Sequence, residues 1–249
     1  MTGCGGGSDN GSSDNGNNNG NNNSGGGAPP TVAGAAQGVW QGTDTNGYQL
    51  TLVILDSGAT YGTFASGGAT SMVFGNTAVS GNTLSGSMTK YTFWDAARAT
   101  MAYSGSVTPQ NTLSIVMNNN GNDVFTGHYL NGYGQPASPA GTYTGAAVIG
   151  ATFLSPSNNP NAVVTITNTG SVSISLAGYV TCPAYGMVAP HHNTGIFDFS
   201  AIFTGSGCPA QMLGGPITGV AYLTANNGIQ INATASGGGI FWLPGSKQQ

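Results

Sequence analysis

The sequence predicts an all-β fold, with two tandem antiparallel β-barrel or β-sandwich modules that follow a disordered N-terminal tether. Three observations predict this fold. Apolar and polar residues alternate at strand spacing, Asn-Gly pairs separate the strand-like segments, and the second half of the chain repeats a pattern of the first half.

The tether comes first along the chain. Residues 5–37 are rich in Gly, Asn and Ser, contain no aromatic residue and carry only two charges, Asp9 and Asp14. A segment of this composition buries too little apolar surface to offset the entropy lost on ordering, so we expect a flexible coil. Residues that build strands begin at residue 38.

The strands are predicted from a hydrophobic period of two. The clearest alternating apolar residues are Leu50, Leu52 and Ile54; Val172, Ile174 and Leu176; and Ile229, Ile231 and Ala233. This pattern is typical of a sheet with one buried face and one face in water, so Gln230 and Asn232 are expected in solvent. Further strands are predicted over residues 101–107, 113–117, 124–129, 197–203 and 220–223.

Tight turns are predicted between these segments. Asn46-Gly47, Asn120-Gly121 and Asn227-Gly228 each separate two strand-like runs. Asn-Gly tolerates the positive φ angles of a tight hairpin, so the strands are expected to form an antiparallel meander. The strongest helix candidate spans only residues 94–98, where Asp95 and Arg98 are interpreted as a surface ion pair.

An internal repeat divides the remaining chain into two modules. Residues 38–42 (GVWQG) resemble residues 141–145 (GTYTG), and each motif is followed by an apolar strand and a Gly-containing turn. The turn of the first half contains Asp56 and that of the second half contains Asn168, so Asp56 is interpreted as a turn residue rather than a catalytic carboxylate. The spacing to the turn is nine residues longer in the second half, and an insertion near residues 155–161 would account for the difference.

The predicted boundaries follow from these features. Residues 1–4 form a short segment that ends in Cys4, residues 5–37 the tether, residues 38–135 the first module and residues 136–249 the second. Residues 137–140 are expected to join the modules.

The charge of the chain excludes two classes of function. It has three Lys and Arg residues against seven Asp and no Glu in 249 residues. Three basic side chains cannot neutralise a row of phosphates, so nucleic-acid binding is excluded. A basic membrane-surface patch is excluded for the same reason.

Cys4 resembles the modified cysteine of bacterial lipoproteins. Small residues precede it, and a Gly/Ser/Asn linker follows it directly. The resemblance implies that residues 1–4 are the remnant of a lipoprotein signal with its lipidated cysteine. Cys4 would then carry diacylglycerol and N-acyl chains, which together give stable membrane anchoring. Because Gly5 stands where the family commonly has an Asp that retains the product at the inner membrane, the resemblance implies an outer-membrane location, on a face that the sequence leaves open.

The other two cysteines are predicted to form a disulfide. With Cys4 acylated, Cys182 and Cys208 are an even pair in an oxidising compartment, and each is followed by Pro. Metal binding by this pair with His191 and His192 is the competing interpretation. It is disfavoured because the ligand spacing matches no zinc motif and because adjacent histidines on an extended backbone point in different directions.

The order of motifs resembles a group of uncharacterised lipoproteins of Gram-negative bacteria of the Burkholderia type. The motifs are Cys4 with its spacer, residues 38–43 (GVWQGT) and residues 55–62 (LDSGATYG), with a GTYTG stretch and a spaced Cys pair in the second half. The Gly-x-Trp opening is also similar to the first strand of lipocalins, and a tethered barrel to transferrin-binding lipoproteins. Such a likeness concerns fold, and the group implies no activity, cofactor or catalytic residue.

No catalytic site, metal or cofactor is predicted, and the chain is not expected to be an enzyme. The chain lacks a Gly-x-Ser-x-Gly elbow, and the spacing of its aspartates shows no paired carboxylates of the glycosidase kind. His128 is interpreted as a strand-edge histidine. The ionisable candidates in the body of the chain are Asp44, Asp56, Asp95, Asp123, Asp198, His128, His191, His192, Lys90 and Arg98.

Binding or a structural role is therefore the predicted function. In the favoured form, the polar strand faces of a surface-displayed module meet a protein or glycan partner through neutral hydrogen bonds that salt affects little. In the alternative, a lipocalin-like barrel holds a small apolar ligand, and a hydrolase of unknown substrate ranks third. The aromatic residues that would line such a barrel are Trp40, Tyr61, Phe93, Trp94 and Tyr103.

Overall fold

The computed structural model describes residues 33–66, 69–93, 98–117, 123–130, 138–150, 161–178, 182–192, 194–224 and 226–249. Within these ranges the chain forms seventeen strands and one short 3-10 turn. The all-β prediction with two tandem antiparallel barrels is confirmed. Among the same residues, no helix combines the length and the apolar character needed to cross a membrane.

The first barrel, called barrel 1, is a closed meander. Each strand pairs antiparallel with the next, and β8 returns to pair with β1. The strands are β1 (Gly38–Asp44), β2 (Gln49–Ile54), β3 (Ala59–Ser66), β4 (Ala69–Ser80), β5 (Thr83–Thr92), β6 (Arg98–Thr108), β7 (Thr112–Met117) and β8 (Asp123–Tyr129).

The second barrel, called barrel 2, closes between its first and last strands. The strands are β9 (Gly141–Ala146), β10 (Val148–Gly150), β11 (Asn161–Ile166), β12 (Ser171–Leu176), β13 (Ala184–Pro190), β14 (Ile196–Phe203), β15 (Ile217–Leu223), β16 (Ile229–Ala235) and β17 (Ile240–Lys247). β9 pairs with both β11 and β17, which closes the barrel, and β10 pairs with β17 as a short continuation of β9.

The internal repeat is a repeat of structure. In barrel 1 the Gly58 N–H donates to Leu55 O and the Thr77 N–H donates to Gly58 O; in barrel 2 Gly170 makes the same two bonds with Thr167 and Val188. Gly58 and Gly170 have φ angles of 83° and 84°. A Cβ at either position would lie 2.3 Å from the carbonyl oxygen of the residue that donates to it. Glycine is therefore required twice for the same reason.

The length difference between the halves lies between β9 and β11. Gly42 pairs with Leu50, whereas Gly145 pairs with Ala162, so this connection is nine residues longer in barrel 2. It includes β10. The region 155–161 predicted to hold the insertion falls here, although residues 151–160 lie outside the described residues.

An aromatic residue of the first strand anchors each core. The Trp40 indole N–H donates to Ala36 O at 2.7 Å, and the Tyr143 hydroxyl donates to Pro139 O at 2.9 Å. Both side chains are buried, and both bonds reach back four residues. The turn that contains Ala36 belongs to residues 33–36, so the fold of barrel 1 includes residues before the predicted boundary at 38.

The two barrels pack side by side through their outer faces. Val53 and Leu55 of barrel 1 contact Val220 and Tyr222 of barrel 2 in one apolar cluster. Met72 and Phe93 contact Val148 and Ile240 in a second cluster, where the Phe93 and Trp242 ring centroids lie 5.1 Å apart.

This packing overturns one expectation from the hydrophobic period. Gln230 and Asn232 of β16 were predicted to face water, but both are buried. The Gln230 side-chain amide donates to the Asn232 side-chain oxygen at 3.1 Å. Strands on either side of β16 belong to the inter-barrel clusters, so its second face is covered by protein rather than solvent.

The predicted disulfide joins two loops of barrel 2. Cys182 lies before β13 and Cys208 after β14, and the two sulfur atoms are bonded. Both cysteines are buried within the barrel 2 core. The pair is therefore structural, and neither thiol is available as a metal ligand.

Candidate functional site

One aspartate of the site comes from the β2–β3 turn of barrel 1. The Leu55 N–H donates to Ala59 O at 2.9 Å, and the Ala33 N–H donates to Asp56 O at 3.1 Å. These bonds fix the backbone of Asp56. Its carboxylate, which is 37% exposed, faces barrel 2. The turn prediction holds for the backbone, while the side chain has a second set of contacts.

Two histidines come from the β13–β14 hairpin of barrel 2. The His191 N–H donates to Ile196 O at 2.8 Å, and the Thr194 hydroxyl donates to His191 O at 2.6 Å. His192 has a φ of 52°, in the left-handed region. This φ angle turns the chain so that both rings lie on one side, with their centroids 4.8 Å apart. The expectation that the adjacent histidines diverge is wrong, because it assumed an extended backbone.

The Asp56 carboxylate contacts both rings. Its Oδ1 lies 3.3 Å from His191 Nε2, and its Oδ2 lies 3.3 Å from His192 Nδ1. One ligand atom from each of these three residues can be chosen so that all lie within 4.8 Å of one another. Nitrogen and oxygen donors of this kind are the ones that bind zinc in proteins.

A second aspartate orients His191. Asp198 Oδ1 lies 2.9 Å from His191 Nδ1, from its position on β14 opposite Ala189. His191 is buried, with 8% of its surface exposed, whereas the Asp198 side chain is more than half exposed. With Nδ1 held by Asp198, the ring presents Nε2 toward Asp56.

A cavity of about 390 Å³ lies beside this cluster. Its walls include Leu55 and Tyr61 of barrel 1 and Met187, Asp198 and Phe199 of barrel 2. Burial raises the pKa of Tyr61 above its ordinary value, and the nearby Asp198 carboxylate raises it further. Tyr61 therefore stays protonated and neutral at the wall of the cavity.

The aromatic residues predicted to line a ligand barrel do not share one chamber. Trp40 and Tyr103 belong to the interior core of barrel 1. Tyr61 and Phe93 lie on its outer face, against barrel 2. Trp94 lies outside the described residues, and so do Cys4 and Asp95.

The remaining ionisable candidates lie apart from the cluster. The Asp44 carboxylate accepts from the N–H groups of Asn46 and Tyr48 and so caps the first hairpin turn. Asp123 accepts from the Asn46 side chain, and His128 is exposed on β8. Arg98 donates to Gly238 O at 3.0 Å and lies over the Tyr91 ring.

Comparison with protein-family models, with curated proteins and with solved structures found no match for the chain. Its function must therefore be argued from its own residues.

Proposed function

We propose that this chain is a lipid-anchored protein of the bacterial outer membrane, whose two-barrel head is a binding module for a protein partner. The anchor is the acylated Cys4, and the Gly/Asn/Ser segment after it is the tether. The proposal for the anchor rests on the lipoprotein resemblance of that segment.

An exposed apolar patch on barrel 2 is the observation that carries the binding role. Tyr185 and Ile202 are cross-strand neighbours on β13 and β14, and Met187 lies two residues along β13 from Tyr185. Their exposed fractions are 60% for Tyr185, 59% for Met187 and 49% for Ile202. Adjacent exposed apolar side chains mark interaction surfaces, and Tyr and Met are enriched in interfaces between proteins.

The surroundings of this patch favour a neutral partner. The neighbouring positions on β12 and β14 are Ser171, Ser173 and Ser200, which pair with Met187 or Tyr185. An apolar centre with a hydroxyl-rich border matches the anatomy of an interface between proteins. The residues of the patch and of this border carry no charge, so the contacts that they make should depend little on salt. Asp198 lies beside Met187 in the cavity wall, at the edge of the patch.

Photo-cross-linking in membranes of cells that make the native chain tests the binding role. A photoreactive residue at position 185 should give one predominant adduct with a protein. The Met187→Ser variant should abolish that adduct, while Leu213→Ser, at an exposed apolar position outside the patch, should leave it unchanged. The adduct should persist at about 1 M salt.

Two outcomes contradict the binding role. A folded, lipidated chain that gives no adduct from position 185 would refute it, and an adduct made of carbohydrate would refute the assignment of a protein partner. The anchor is tested separately by labelling with an alkyne fatty acid. The label and the membrane association should both be lost in Cys4→Ser, and an unlabelled native chain would refute the anchor.

A further inference from the structure

We propose that Asp56, His191 and His192 form a Zn²⁺ site that bridges the two barrels, with Asp198 as the residue that positions His191. The proposal depends neither on the lipid anchor nor on the apolar patch. It rests on one unpartnered buried atom, on the separations of the donor atoms and on the local charge.

The unpartnered atom is His191 Nε2. It is buried and has no hydrogen-bond partner, although Asp56 Oδ1 lies only 3.3 Å away. Asp198 Oδ1 lies 2.9 Å from Nδ1, so Nε2 is the ring atom turned toward the Asp56 carboxylate. A metal ion between Nε2 and Asp56 Oδ1 would bind both atoms.

The donor separations fit a zinc ion. Ligand atoms of a tetrahedral zinc centre with bonds of about 2.0 Å lie roughly 3.3 Å apart. Asp56 has this separation through Oδ1 to His191 Nε2 and through Oδ2 to His192 Nδ1, at 3.3 Å each, and one ligand atom from each residue can be chosen within 4.8 Å of the others. The His192 side chain is 67% exposed, so its ring is free to make the remaining adjustment.

The Asp198 contact is the arrangement expected around a zinc-bound histidine. A ligating imidazole commonly donates its other N–H to a carboxylate, which fixes the tautomer and the orientation of the ring. Asp198 holds His191 Nδ1 at 2.9 Å in this way. Asp198 is a positioning residue because its effect on the metal passes through the ring.

The charge balance also favours a cation. Two carboxylates, Asp56 and Asp198, converge on His191 in a chain with only three Lys and Arg residues. Those three side chains lie over aromatic rings elsewhere: Lys90 over Tyr48 and Phe64, Arg98 over Tyr91, and Lys247 over Tyr143. Two imidazoles select zinc and related transition metals over Mg²⁺ or Ca²⁺.

The internal repeat gives each site residue a counterpart that cannot bind metal in this way. The turn counterpart of Asp56 is Asn168. Counting along the hairpin from the equivalent glycines, Gly75 and Gly186, places Gly81 at the position of His192. Gly81 and His192 share the left-handed conformation, with φ angles of 59° and 52°. Barrel 1 thus has the same backbone conformation at both places without these donors.

Three protein ligands leave at least one coordination position for water or another ligand. Asp56 and His192 are partly exposed, so that position is open to solvent. The structure therefore assigns an accessible zinc centre rather than a closed structural one.

Zinc titration of the intact, disulfide-bonded chain after chelator treatment tests the proposal. We expect one Zn²⁺ per chain, which an excess of Mg²⁺ does not displace. Asp198→Asn should weaken zinc affinity by about 10–100-fold, and His191→Gln should weaken it more. Asp56→Asn, which installs the residue of the repeat, should also weaken it, while His128→Gln, at an exposed histidine elsewhere, should not.

Histidine nitrogen NMR supplies the readout that a structural role alone would not change. Zinc should shift the Nε2 signal of His191 and the Nδ1 signal of His192, and Asp198→Asn should alter the His191 signals before zinc is added. Circular dichroism verifies that each variant is folded. Absence of stoichiometric binding, or zinc binding that the folded His191→Gln variant retains at full affinity, would overturn the proposal, as would a His191 signal that zinc leaves unchanged.

Discussion

At the same place in the repeated fold, barrel 1 has three hydroxyl-bearing residues and barrel 2 has none. Thr60, Thr77 and Tyr103 are buried together in barrel 1, where the Thr77 hydroxyl contacts those of Thr60 and Tyr103. Val172 and Val188 are the counterparts of Thr60 and Thr77, counted from Gly58 and Gly170. Along the paired strands, Thr77, Gly86 and Tyr103 correspond to Val188, Phe199 and Gly219.

The backbone pattern of the repeat is therefore independent of the side chains that fill it. The Thr77 N–H and the Val188 N–H make the same bond to the turn glycine, at 2.7 Å and 2.8 Å. A polar network replaces apolar packing only where each hydroxyl has a partner, and the Tyr103 hydroxyl has a further one in Asn76 O, at 3.0 Å. Each barrel therefore serves as a control for the other.

The largest expected difference between the barrels comes from the disulfide. Cys182 and Cys208 are 26 residues apart, and closing a loop of that length stabilises a fold by about 3.5 kcal/mol in the chain-entropy model. We expect Cys182→Ala/Cys208→Ala to lower the free energy of unfolding by about this amount, as measured in urea. Native-state hydrogen exchange should place the loss in β12 to β15, with β2 and β3 of barrel 1 less affected.

Reductant is the control for this prediction. It should destabilise the native chain to the same extent and leave the double variant unchanged. A loss below about 1 kcal/mol would contradict the prediction.

The second difference is the cost of an incomplete polar network. Thr77→Val removes the central hydroxyl, which leaves buried hydroxyls of Thr60 and Tyr103 with fewer partners, and should cost about 1–3 kcal/mol of unfolding free energy. The triple variant Thr60→Val/Thr77→Val/Tyr103→Phe, which makes barrel 1 apolar like barrel 2, should recover most of that loss. Urea unfolding of the native chain, Thr77→Val, Tyr103→Phe and the triple variant measures how the stability lost with one hydroxyl depends on the presence of the others.

Barrel 2 offers the matched control. Val188→Thr buries a hydroxyl among apolar neighbours and should be destabilising by a similar amount. If the triple variant were less stable than Thr77→Val, the network would be contributing more than its isosteric apolar replacement, against the comparison.

The third difference concerns the residue with left-handed backbone in two equivalent hairpins, β4–β5 of barrel 1 and β13–β14 of barrel 2. His192 and Gly81 occupy it with φ angles of 52° and 59°. Only glycine adopts this conformation without a steric cost, which is about 1–2 kcal/mol for a side chain with a Cβ. In excess chelator, His192→Gly should therefore raise the unfolding free energy by about 1 kcal/mol. Asn227→Gly, at another left-handed position with a φ of 57°, should gain less because Asn tolerates it.

A stability loss in His192→Gly would show that the imidazole contact with Asp56 outweighs the backbone strain. The expected gain would instead identify His192 as a residue retained at a cost to the fold, which is common where a side chain serves a site.

Local sequence patterns were sufficient to predict most of the fold. Alternation predicted the strands around Leu52, Ile174 and Ile231, the repeat predicted the twofold organisation, and the even cysteine pair predicted the disulfide. The burial of Gln230 and Asn232 was not predictable in this way, because the hydrophobic period within a strand carries no information about a second barrel packed on its outer face.

The candidate site was missed for a related reason. Asp56 and His191 are 135 positions apart in sequence and meet only because the barrels pack side by side. The histidine pair was excluded as a metal site on the premise of an extended backbone, and the His192 backbone is left-handed instead. The repeat contained a signal that could have found the site. The repeat counterpart of Asp56 is Asn168, and the hairpin with both histidines corresponds to the β4–β5 hairpin of barrel 1, which has no histidine.

The smallest difference concerns alkaline solution, where the polar network of barrel 1 contains a tyrosine and its apolar counterpart does not. Burial raises the pKa of Tyr103 above its ordinary value of 10.0, and hydrogen bonds from Thr77 and Thr60 partly oppose that rise. Below pH 10 both the folded and the unfolded chain keep the proton. Above it, the unfolded chain loses the proton first, so the free energy of unfolding falls as pH rises toward the folded pKa.

Tyr103→Phe should remove this part of the alkaline dependence, so its free energy of unfolding should fall less than that of the native chain between about pH 8 and pH 11. Tyr185→Phe changes a ring that is 60% exposed and serves as the control. Burial also raises the pKa of Tyr143 in barrel 2, so Tyr143→Phe should reduce the dependence independently. An alkaline slope that Tyr103→Phe leaves unchanged would contradict this prediction, because it would mean that the bonds from Thr77 and Thr60 fully cancel the effect of burial on the pKa of Tyr103.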